Sequence, residues 1–247
     1  MKKLKFFKAC YLENLKQNLK INKIKHSGDL KKGQVLVKLK YSGICGSQLG
    51  EINGVKGADK YLPHLLGHEG SGIIEKIGPK VKYFKKKQLV ILHWMKSRGI
   101  ESLSPRYFYK NKKINAGKVT TFNEYAVVSE NRLTLIPKGL TLKNAVVFGC
   151  AATTGYGSVY NDAKVKQKKN ILIFGAGGVG LSIIQSCKLK NAKKIVVVDL
   201  KKSKLIFSKK FGSTNTVIYS GDLSLLKKKI RSFLIESEIY DYCFDTT

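Results

Sequence analysis

The sequence lacks long apolar runs: none of its 247 residues lies in a stretch close to the roughly 18 apolar residues that a membrane span needs. The basic N-terminus also lacks the apolar centre of a signal peptide, which predicts a cytoplasmic protein with no membrane partner. Cysteine pairs of the CxxC type are absent as well, and the five cysteines are scattered. An odd, scattered set favours reduced thiols or metal ligation over a disulfide framework.

Arginine is also scarce. Only four of the 47 basic residues are arginine, and with 16 acidic residues the formal net charge is +31. Lysines neutralise phosphates, so this charge admits the hypothesis of a nucleic-acid-binding protein. However, recognition of bases and phosphates favours the forked guanidinium group, and the lysines are spread over the whole chain. We therefore predict solvated lysine-rich faces and no specific nucleic-acid partner.

Two sequence patterns divide the chain. The first half alternates apolar and polar residues in short segments broken by glycine, at 34–41, 72–77, 88–92 and 121–128, which predicts a small β-barrel. From about residue 141 a helix-like segment precedes a regular alternation of strands and helices, which predicts a parallel sheet. The predicted strands there are 170–174, 194–199, 214–219 and 240–244, and the predicted helices are 178–190, 203–211 and 222–233. We predict domains at 1–145 and 146–247.

A glycine-rich loop joins the first strand and the first helix of this sheet. Its candidate cofactor-binding residues are Gly175, Gly177, Gly178, Val179 and Gly180. Such GxGxxG loops are common, but this one leaves a β-branched strand and opens a helix, where backbone N–H groups can bind a pyrophosphate. Asp199 ends the next strand, 24 residues after Gly175, where a carboxylate binds ribose hydroxyls and favours NAD over NADP. Alternatively, Asp199 only caps the next helix. Lys204 would lie near the same ribose.

Three potential metal ligands stand at separate places in the chain: Cys45, His68 and Cys150. Each one alone is better explained as an ordinary buried residue. Together, and in front of a dinucleotide loop, they form a soft set of three ligands that suits zinc. Such a set leaves a fourth tetrahedral position for water or substrate, which is typical of catalytic rather than structural zinc.

Four motifs in a fixed order extend this pattern. They are GIC-GS at 43–47, GHExxGxxxxxG at 67–78, GCxxxTGYGS at 149–158 and GAGGVG at 175–180. In these motifs the sequence resembles the zinc-containing medium-chain dehydrogenase/reductase family, to which alcohol dehydrogenases belong. The resemblance implies an α/β protein with an N-terminal GroES-like β-barrel catalytic domain and a Rossmann fold, a doubly wound parallel sheet.

The resemblance also implies roles for individual residues. Cys45, His68 and Cys150 would bind one catalytic zinc ion, and Glu69 would lie behind it. Ser47 would bond the substrate alcohol and start proton removal. The implied reaction transfers hydride between an alcohol or aldehyde substrate and NAD, and the full-length form would be a homo-oligomer.

Several positions depart from the family pattern. Gln48 replaces an aspartate that bonds the zinc-ligating histidine in many relatives, and we expect its carbonyl to accept that bond instead. Gly50 and Glu51 stand where relatives often have a proton-relaying histidine, so that His64 or water would have to substitute. The segment 93–118 lacks the four cysteines of a structural-zinc lobe, and we therefore predict one zinc ion and no structural zinc.

The end of the sequence is a further departure. Only four of the six strands of a doubly wound sheet are predicted before residue 247. We therefore expect an incomplete Rossmann domain, truncated at its C-terminus, and two alternative functions stay open. One is a catalytically impaired remnant that binds zinc or dinucleotide. The other is an NADPH-dependent quinone-type reductase without zinc, against which the three ligands and Asp199 argue.

Overall fold

The computed structural model describes residues 6–26 and 28–247. The chain divides into two compact units, residues 1–150 and 151–247; the predicted functional boundary, after residue 145, stays a prediction. Among the described residues, no helix combines the length and apolar character that a membrane crossing requires.

The first unit consists mainly of antiparallel strands. Its strands are β1 (Phe7–Leu12), β2 (Lys20–His26), β3 (Gln34–Ser42), β4 (His64–Leu65), β5 (Gly70–Ile77), β6 (Leu89–Leu92), β7 (Tyr107–Tyr109), β8 (Lys112–Ile114), β9 (Tyr125–Ser129) and β10 (Leu133–Leu135), with the short helices α1 (Gly46–Ile52) and α2 (Leu142–Ala145). They form two five-stranded sheets, in the orders β10-β6-β5-β3-β9 and β4-β1-β2-β7-β8. The β-rich first domain predicted from the alternating pattern is confirmed.

The sheet around β3 buries the apolar residues of the alternating segments. Val35 and Val37 of β3 are fully buried, and they pack with Ile74 of β5 and Val90 of β6. The register between β3 and β5 shifts twice along the pair, and such irregularities increase the twist of a strand pair. The apolar residues of the alternating segments thus form the core of this sheet.

The cysteine-free segment 93–118 has a structural role that the sequence did not reveal. It contributes β7 and β8 to the second sheet, where Tyr107 is fully buried. The Tyr107 hydroxyl accepts a hydrogen bond of 3.0 Å from the backbone N–H of Val127. Its ring lies edge-on to Phe7 of β1, with the ring centres 5.9 Å apart. Burial raises the pKa of Tyr107, and the phenol stays neutral as a core residue.

The second unit contains a four-stranded parallel sheet with helices. Its elements are α3 (Ala151–Gly157), β11 (Asn170–Phe174), α4 (Gly178–Leu189), β12 (Lys194–Asp199), α5 (Lys202–Phe211), β13 (Asn215–Ile218), α6 (Leu223–Arg231) and β14 (Tyr242–Asp245). The strand order is β13-β12-β11-β14, and each neighbouring pair is parallel. This is the order of the first four strands of a doubly wound sheet, and the predicted partial Rossmann fold is confirmed.

Candidate metal centre and dinucleotide loop

The three predicted metal ligands converge within the first unit. Cys45 stands directly before α1, His68 lies between β4 and β5, and Cys150 follows the short 3-10 helix Val146–Gly149. Their ligand atoms all lie within 4.8 Å of one another, and all three residues are half-buried. Zinc bonds of about 2.3 Å to sulfur and about 2.0 Å to nitrogen set tetrahedral ligand atoms roughly 3.5–3.8 Å apart. The donor set therefore fits zinc with small adjustments of the side chains.

Glu69 is buried between the backbones of the two cysteine loops. A Cβ atom at Gly43 would lie 2.5 Å from Glu69 Oε1, and one at Gly149 would lie 2.7 Å from Glu69 Cβ. Gly43 is two residues before Cys45, and Gly149 directly precedes Cys150. Gly43 thus leaves room for the carboxylate of Glu69, and Gly149 leaves room for its Cβ and backbone. The position of Glu69 behind a zinc ion stays a prediction.

His68 is positioned by the residue before it. Gly67 has a φ angle of +88°, and a Cβ atom there would clash with the side chain of Thr121. A non-glycine residue would therefore meet both backbone strain and a steric clash. Burial lowers the pKa of His68, which favours the neutral imidazole that metal ligation requires.

Gln48 joins two of the ligand residues, but with the opposite orientation to the one expected. Its side chain is buried, and its Oε1 accepts a hydrogen bond of 3.1 Å from the backbone N–H of Cys45. This leaves the amide Nε2 facing Nδ1 of His68. The amide is a donor there, so Nδ1 accepts in this arrangement. Ligation of a metal through Nε2 of His68 calls for the reverse, with the amide turned over and Nδ1–H donating to it.

Ser47 lies in the first turn of α1, two residues after Cys45, and it is exposed. Its hydroxyl forms no hydrogen bond with other residues in the described part of the chain. A substrate hydroxyl can therefore bond to it without displacing a protein partner.

His93 and His64 lie outside the three-ligand group and differ in their surroundings. His93 is buried with Nδ1 2.7 Å from the carbonyl oxygen of Met95 and Nε2 2.9 Å from Thr134 Oγ1. Burial lowers its pKa, and because both nitrogens have partners His93 has a structural role. His64 contacts Asp59 and Glu51 in a separate cluster.

The glycine loop of the second unit requires glycine at two of its positions. Gly175 has a φ angle of +89°, and a Cβ atom at Gly180 would clash with the carbonyl oxygen of Gly175. At Gly177, by contrast, an added Cβ would meet no atom within 4 Å, so this side of the loop is open. Gly178 begins α4, and Val179 packs on the core of the unit.

Asp199 is held against this loop. Its Oδ2 accepts a 2.8 Å hydrogen bond from the N–H of Ala176, and its Oδ1 accepts one of 2.9 Å from Lys201. Burial raises the pKa of Asp199, but these N–H groups outweigh it and lower the pKa overall. Nζ of Lys204 lies 3.8 Å from Oδ2. The N-cap residue of α5 is Lys201, so Asp199 does not occupy the capping position that the alternative hypothesis required.

Thr246 is a loop contact that the sequence did not indicate. Its hydroxyl donates to the carbonyl oxygen of Phe174 at 2.9 Å, and a Cβ atom at Gly175 would lie 2.6 Å from Thr246 Oγ1. The end of β14 thus packs against the glycine loop. Nothing in the local pattern DTT distinguishes this threonine, because its role depends on the pairing of β14 with β11.

Comparison with known proteins finds alcohol dehydrogenases that resemble this chain. Residues 31–138 match the model of the alcohol dehydrogenase GroES-like domain. Alcohol dehydrogenase 6 of Peromyscus maniculatus is 31% identical over 240 residues, which cover 87% of this chain and 63% of the relative. The first unit therefore carries an alcohol dehydrogenase GroES-like domain, and the chain is similar to alcohol dehydrogenases over most of its length.

A second curated relative and a solved structure show the same similarity. Alcohol dehydrogenase 6 of Rattus norvegicus is 29% identical over 238 residues, covering 87% of this chain and 62% of the relative. An alcohol dehydrogenase zinc-binding domain protein from Burkholderia ambifaria has the same fold, with a TM-score of 0.85 at 22% identity, covering 98% of this chain and 71% of that structure. The chain spans about three fifths of the length of the two curated relatives.

Proposed function

We propose that the protein is a zinc-dependent oxidoreductase that transfers hydride between an alcohol or aldehyde substrate and NAD(H). The observation that carries the proposal is the convergence of Cys45, His68 and Cys150 within 4.8 Å, in a chain that also carries a dinucleotide-type glycine loop. The mammalian relatives are named alcohol dehydrogenases, which supports the same reaction class.

Cys45, His68 and Cys150 would hold the zinc ion. When bound, zinc supplies Lewis acidity that lowers the pKa of an alcohol, so that an alkoxide is accessible near neutral pH. In the proposed reaction Ser47 Oγ accepts the hydrogen bond of the substrate hydroxyl and takes its proton towards solvent. Glu69 adds negative charge behind the two thiolate loops and keeps their backbones apart.

The cofactor would bind to the second unit. NAD, when bound, accepts the hydride. The N-terminus of α4 and the open backbone at Gly177 suit a pyrophosphate, since helix N-termini attract anions. Asp199 is ionised, and each of its oxygens keeps a second lone pair for a ribose hydroxyl. A 2′-phosphate at this position would be repelled, which favours NAD over NADP.

The test combines zinc content with turnover. The full chain, loaded with one equivalent of zinc, should reduce NAD in the presence of primary or benzylic alcohols, followed at the absorbance of NADH. Cys45→Ser should lose turnover and bind one zinc ion fewer than the wild type. Cys10→Ser is the matched control, because Cys10 is a half-buried thiol of the same unit outside the ligand group, and it should keep both.

Other outcomes would support the alternative functions. Stoichiometric zinc without turnover on any alcohol would favour a binding remnant over an enzyme. NADPH-dependent quinone reduction that persists in Cys45→Ser would overturn the zinc proposal. Micromolar DNA binding that weakens steeply with salt, without dehydrogenase activity, would favour the nucleic-acid hypothesis.

A further inference from the structure

A second group of potential metal ligands lies outside the proposed zinc centre. Glu51, Asp59 and His64 place one ligand atom each within 4.8 Å of one another. Glu51 lies in the last turn of α1, His64 begins β4, and Asp59 is in the loop between them. None of the three is a ligand of the proposed zinc ion.

The hydrogen bonds of His64 point one ring nitrogen at this group. Nδ1 lies 3.0 Å from the carbonyl oxygen of Leu65, which can only accept, so Nδ1 carries the hydrogen. Nε2 lies 2.9 Å from Asp59 Oδ2 and 3.7 Å from Glu51 Oε1. In a neutral ring, Nε2 then carries a lone pair that faces the two carboxylates. All three groups are hydrogen-bond acceptors, and none of them supplies a donor. Either a proton on Nε2 or a bound cation would resolve this conflict.

Two further features match a metal site. A histidine that ligates a metal usually donates its other N–H to a carbonyl or carboxylate, as His64 does to Leu65. Metal bonds of about 2.1 Å set neighbouring ligand atoms about 3.0 Å apart at a right angle and about 3.4 Å apart at a tetrahedral angle. Nε2 of His64 lies 2.9 Å from Asp59 Oδ2 and 3.7 Å from Glu51 Oε1. One distance is slightly shorter and the other slightly longer than this range, so small side-chain movements would bring both into it.

Asp59 is oriented independently of His64. Its Oδ1 accepts a 2.8 Å hydrogen bond from the N–H of Tyr61, which leaves Oδ2 directed at the ring. The side chain of His64 is 8% exposed and that of Asp59 is 16% exposed, whereas that of Glu51 is 41% exposed. The group is therefore closed on the histidine side and open to solvent at Glu51, where an ion can enter.

The charge context adds a further argument. The chain has 47 lysines and arginines against 16 acidic residues. The other ion pairs found in the described part of the chain join a carboxylate to a lysine or an arginine. Glu51 and Asp59 instead meet at a single histidine.

We propose that Glu51, Asp59 and His64 bind a divalent transition-metal ion through one nitrogen and two carboxylate oxygens. Such mixed ligands suit manganese, cobalt and zinc. The ion would fix the C-terminal end of α1 to the 59–64 loop. Since Cys45 stands directly before the N-terminal end of the same helix, this site would stabilise the segment that bears one ligand of the zinc centre. It would add a second metal ion to the single zinc predicted from the sequence.

Manganese is the probe, because thiolates are poor ligands for it. The full chain is titrated with MnCl2, and free Mn²⁺ is followed by its electron paramagnetic resonance signal. We expect one bound ion per chain, and at least tenfold weaker binding in Asp59→Asn and in Glu51→Gln. Cys45→Ser should bind Mn²⁺ like the wild type. Glu236→Gln, which removes an exposed carboxylate of the second unit, is the matched control and should also leave binding unchanged.

Zinc counting provides the second measurement. After loading and gel filtration, the wild type should retain two zinc ions, and Cys45→Ser and Glu51→Gln should each retain one. Glu51 is partly exposed, so its variant tests the site even if Asp59→Asn unfolds the loop. The proposal is overturned if wild type and Glu51→Gln bind Mn²⁺ equally, or if the wild type binds none. Either result would identify the cluster as an imidazolium ion pair alone.

Discussion

Replacement of Gln48 by methionine should weaken metal binding at the zinc centre without unfolding the protein. Methionine has the length and flexibility of glutamine but neither of its polar atoms. The side chain is 3% exposed, so water cannot easily replace the lost partners. The variant removes the contact with Nδ1 of His68 and the acceptor of the Cys45 N–H.

Two separate effects are expected from this change. Loss of the partner that orients a ligating histidine lowers metal affinity by about 10- to 100-fold, which is about 1.4–2.7 kcal/mol. The unpaired N–H of Cys45 should lower the free energy of unfolding of the metal-free protein by about 1–3 kcal/mol. Gln48→Glu should retain or raise the affinity, because its carboxylate can accept from Cys45 and from Nδ1–H of His68.

The assay is competition for zinc with a chromophoric chelator, together with urea unfolding of the metal-free protein. Gln34→Met is the control, because Gln34 is also 3% exposed and its amide also bonds at both ends, to Lys31 and Leu103. The control should lose stability but keep its zinc affinity. If Gln48→Met binds zinc as tightly as the wild type, or if Gln34→Met loses as much affinity, Gln48 does not position His68.

Three further predictions concern other parts of the chain. Gly67→Ala should lower the free energy of unfolding, measured with urea, by about 3 kcal/mol. Gly57 also has a positive φ angle, +87°, but no atom lies within 4 Å of an added Cβ, so Gly57→Ala should lower it by about 1 kcal/mol. Equal losses would contradict the predicted clash at Gly67. Asp199→Asn should reduce the preference for NAD over NADP at least tenfold in dissociation constants measured by fluorescence, and an unchanged ratio would remove Asp199 from the ribose site. The hydrogen bond from Arg132 lowers the pKa of Glu101 to about 2, so this carboxylate stabilises the fold above its unfolded pKa of about 4.3. That contribution is lost as the pH falls from there towards 2, and thermal unfolding of Glu101→Gln should therefore depend less on pH in this window; an identical profile would contradict it.

The elements of the second unit could be predicted from the sequence to within two residues at each end. The predicted strands 170–174 and 194–199 coincide with β11 and β12. Each is a continuous apolar run that follows lysines and ends at a polar residue or glycine, Gly175 after β11 and Asp199 in β12, so local composition alone determines its limits. A parallel sheet buried on both faces requires such runs.

The first unit was less predictable because its second sheet is built by distant pairing. β2 has the sequence KINKIKH, in which only Ile24 and His26 are buried, and the lysines conceal the alternation. β4 has two residues and exists through its pairing with β1. Such contacts depend on the path of the whole chain and leave no local pattern.

The candidate metal centre was also predictable only in part. Motif order predicted that Cys45, His68 and Cys150 belong together, and the structure brings them together, although their role as zinc ligands stays a proposal. The orientation of Gln48 could not be predicted, since it depends on which backbone N–H lies within reach of its carbonyl. The group of Glu51, Asp59 and His64 was also missed, because its spacing follows the course of an irregular loop.

The packing of Glu69 between Gly43 and Gly149 has a consequence for how these three positions can change. Gly43 and the end of the Glu69 side chain share one volume, since an alanine at 43 would place its methyl group 2.5 Å from Glu69 Oε1. A shorter residue at position 69 would vacate that volume and admit a methyl group at 43. At 149 a methyl group would still lie 2.6 Å from the backbone oxygen of Leu92 and 2.9 Å from Cα of residue 69, so that glycine is required whatever stands at 69. Glutamate at 69 with glycine at 43, and a small residue at 69 with alanine at 43, are then alternative solutions that should be exchanged as a pair. Substitution of any one of the three alone should be selected against, even where it touches neither metal nor substrate.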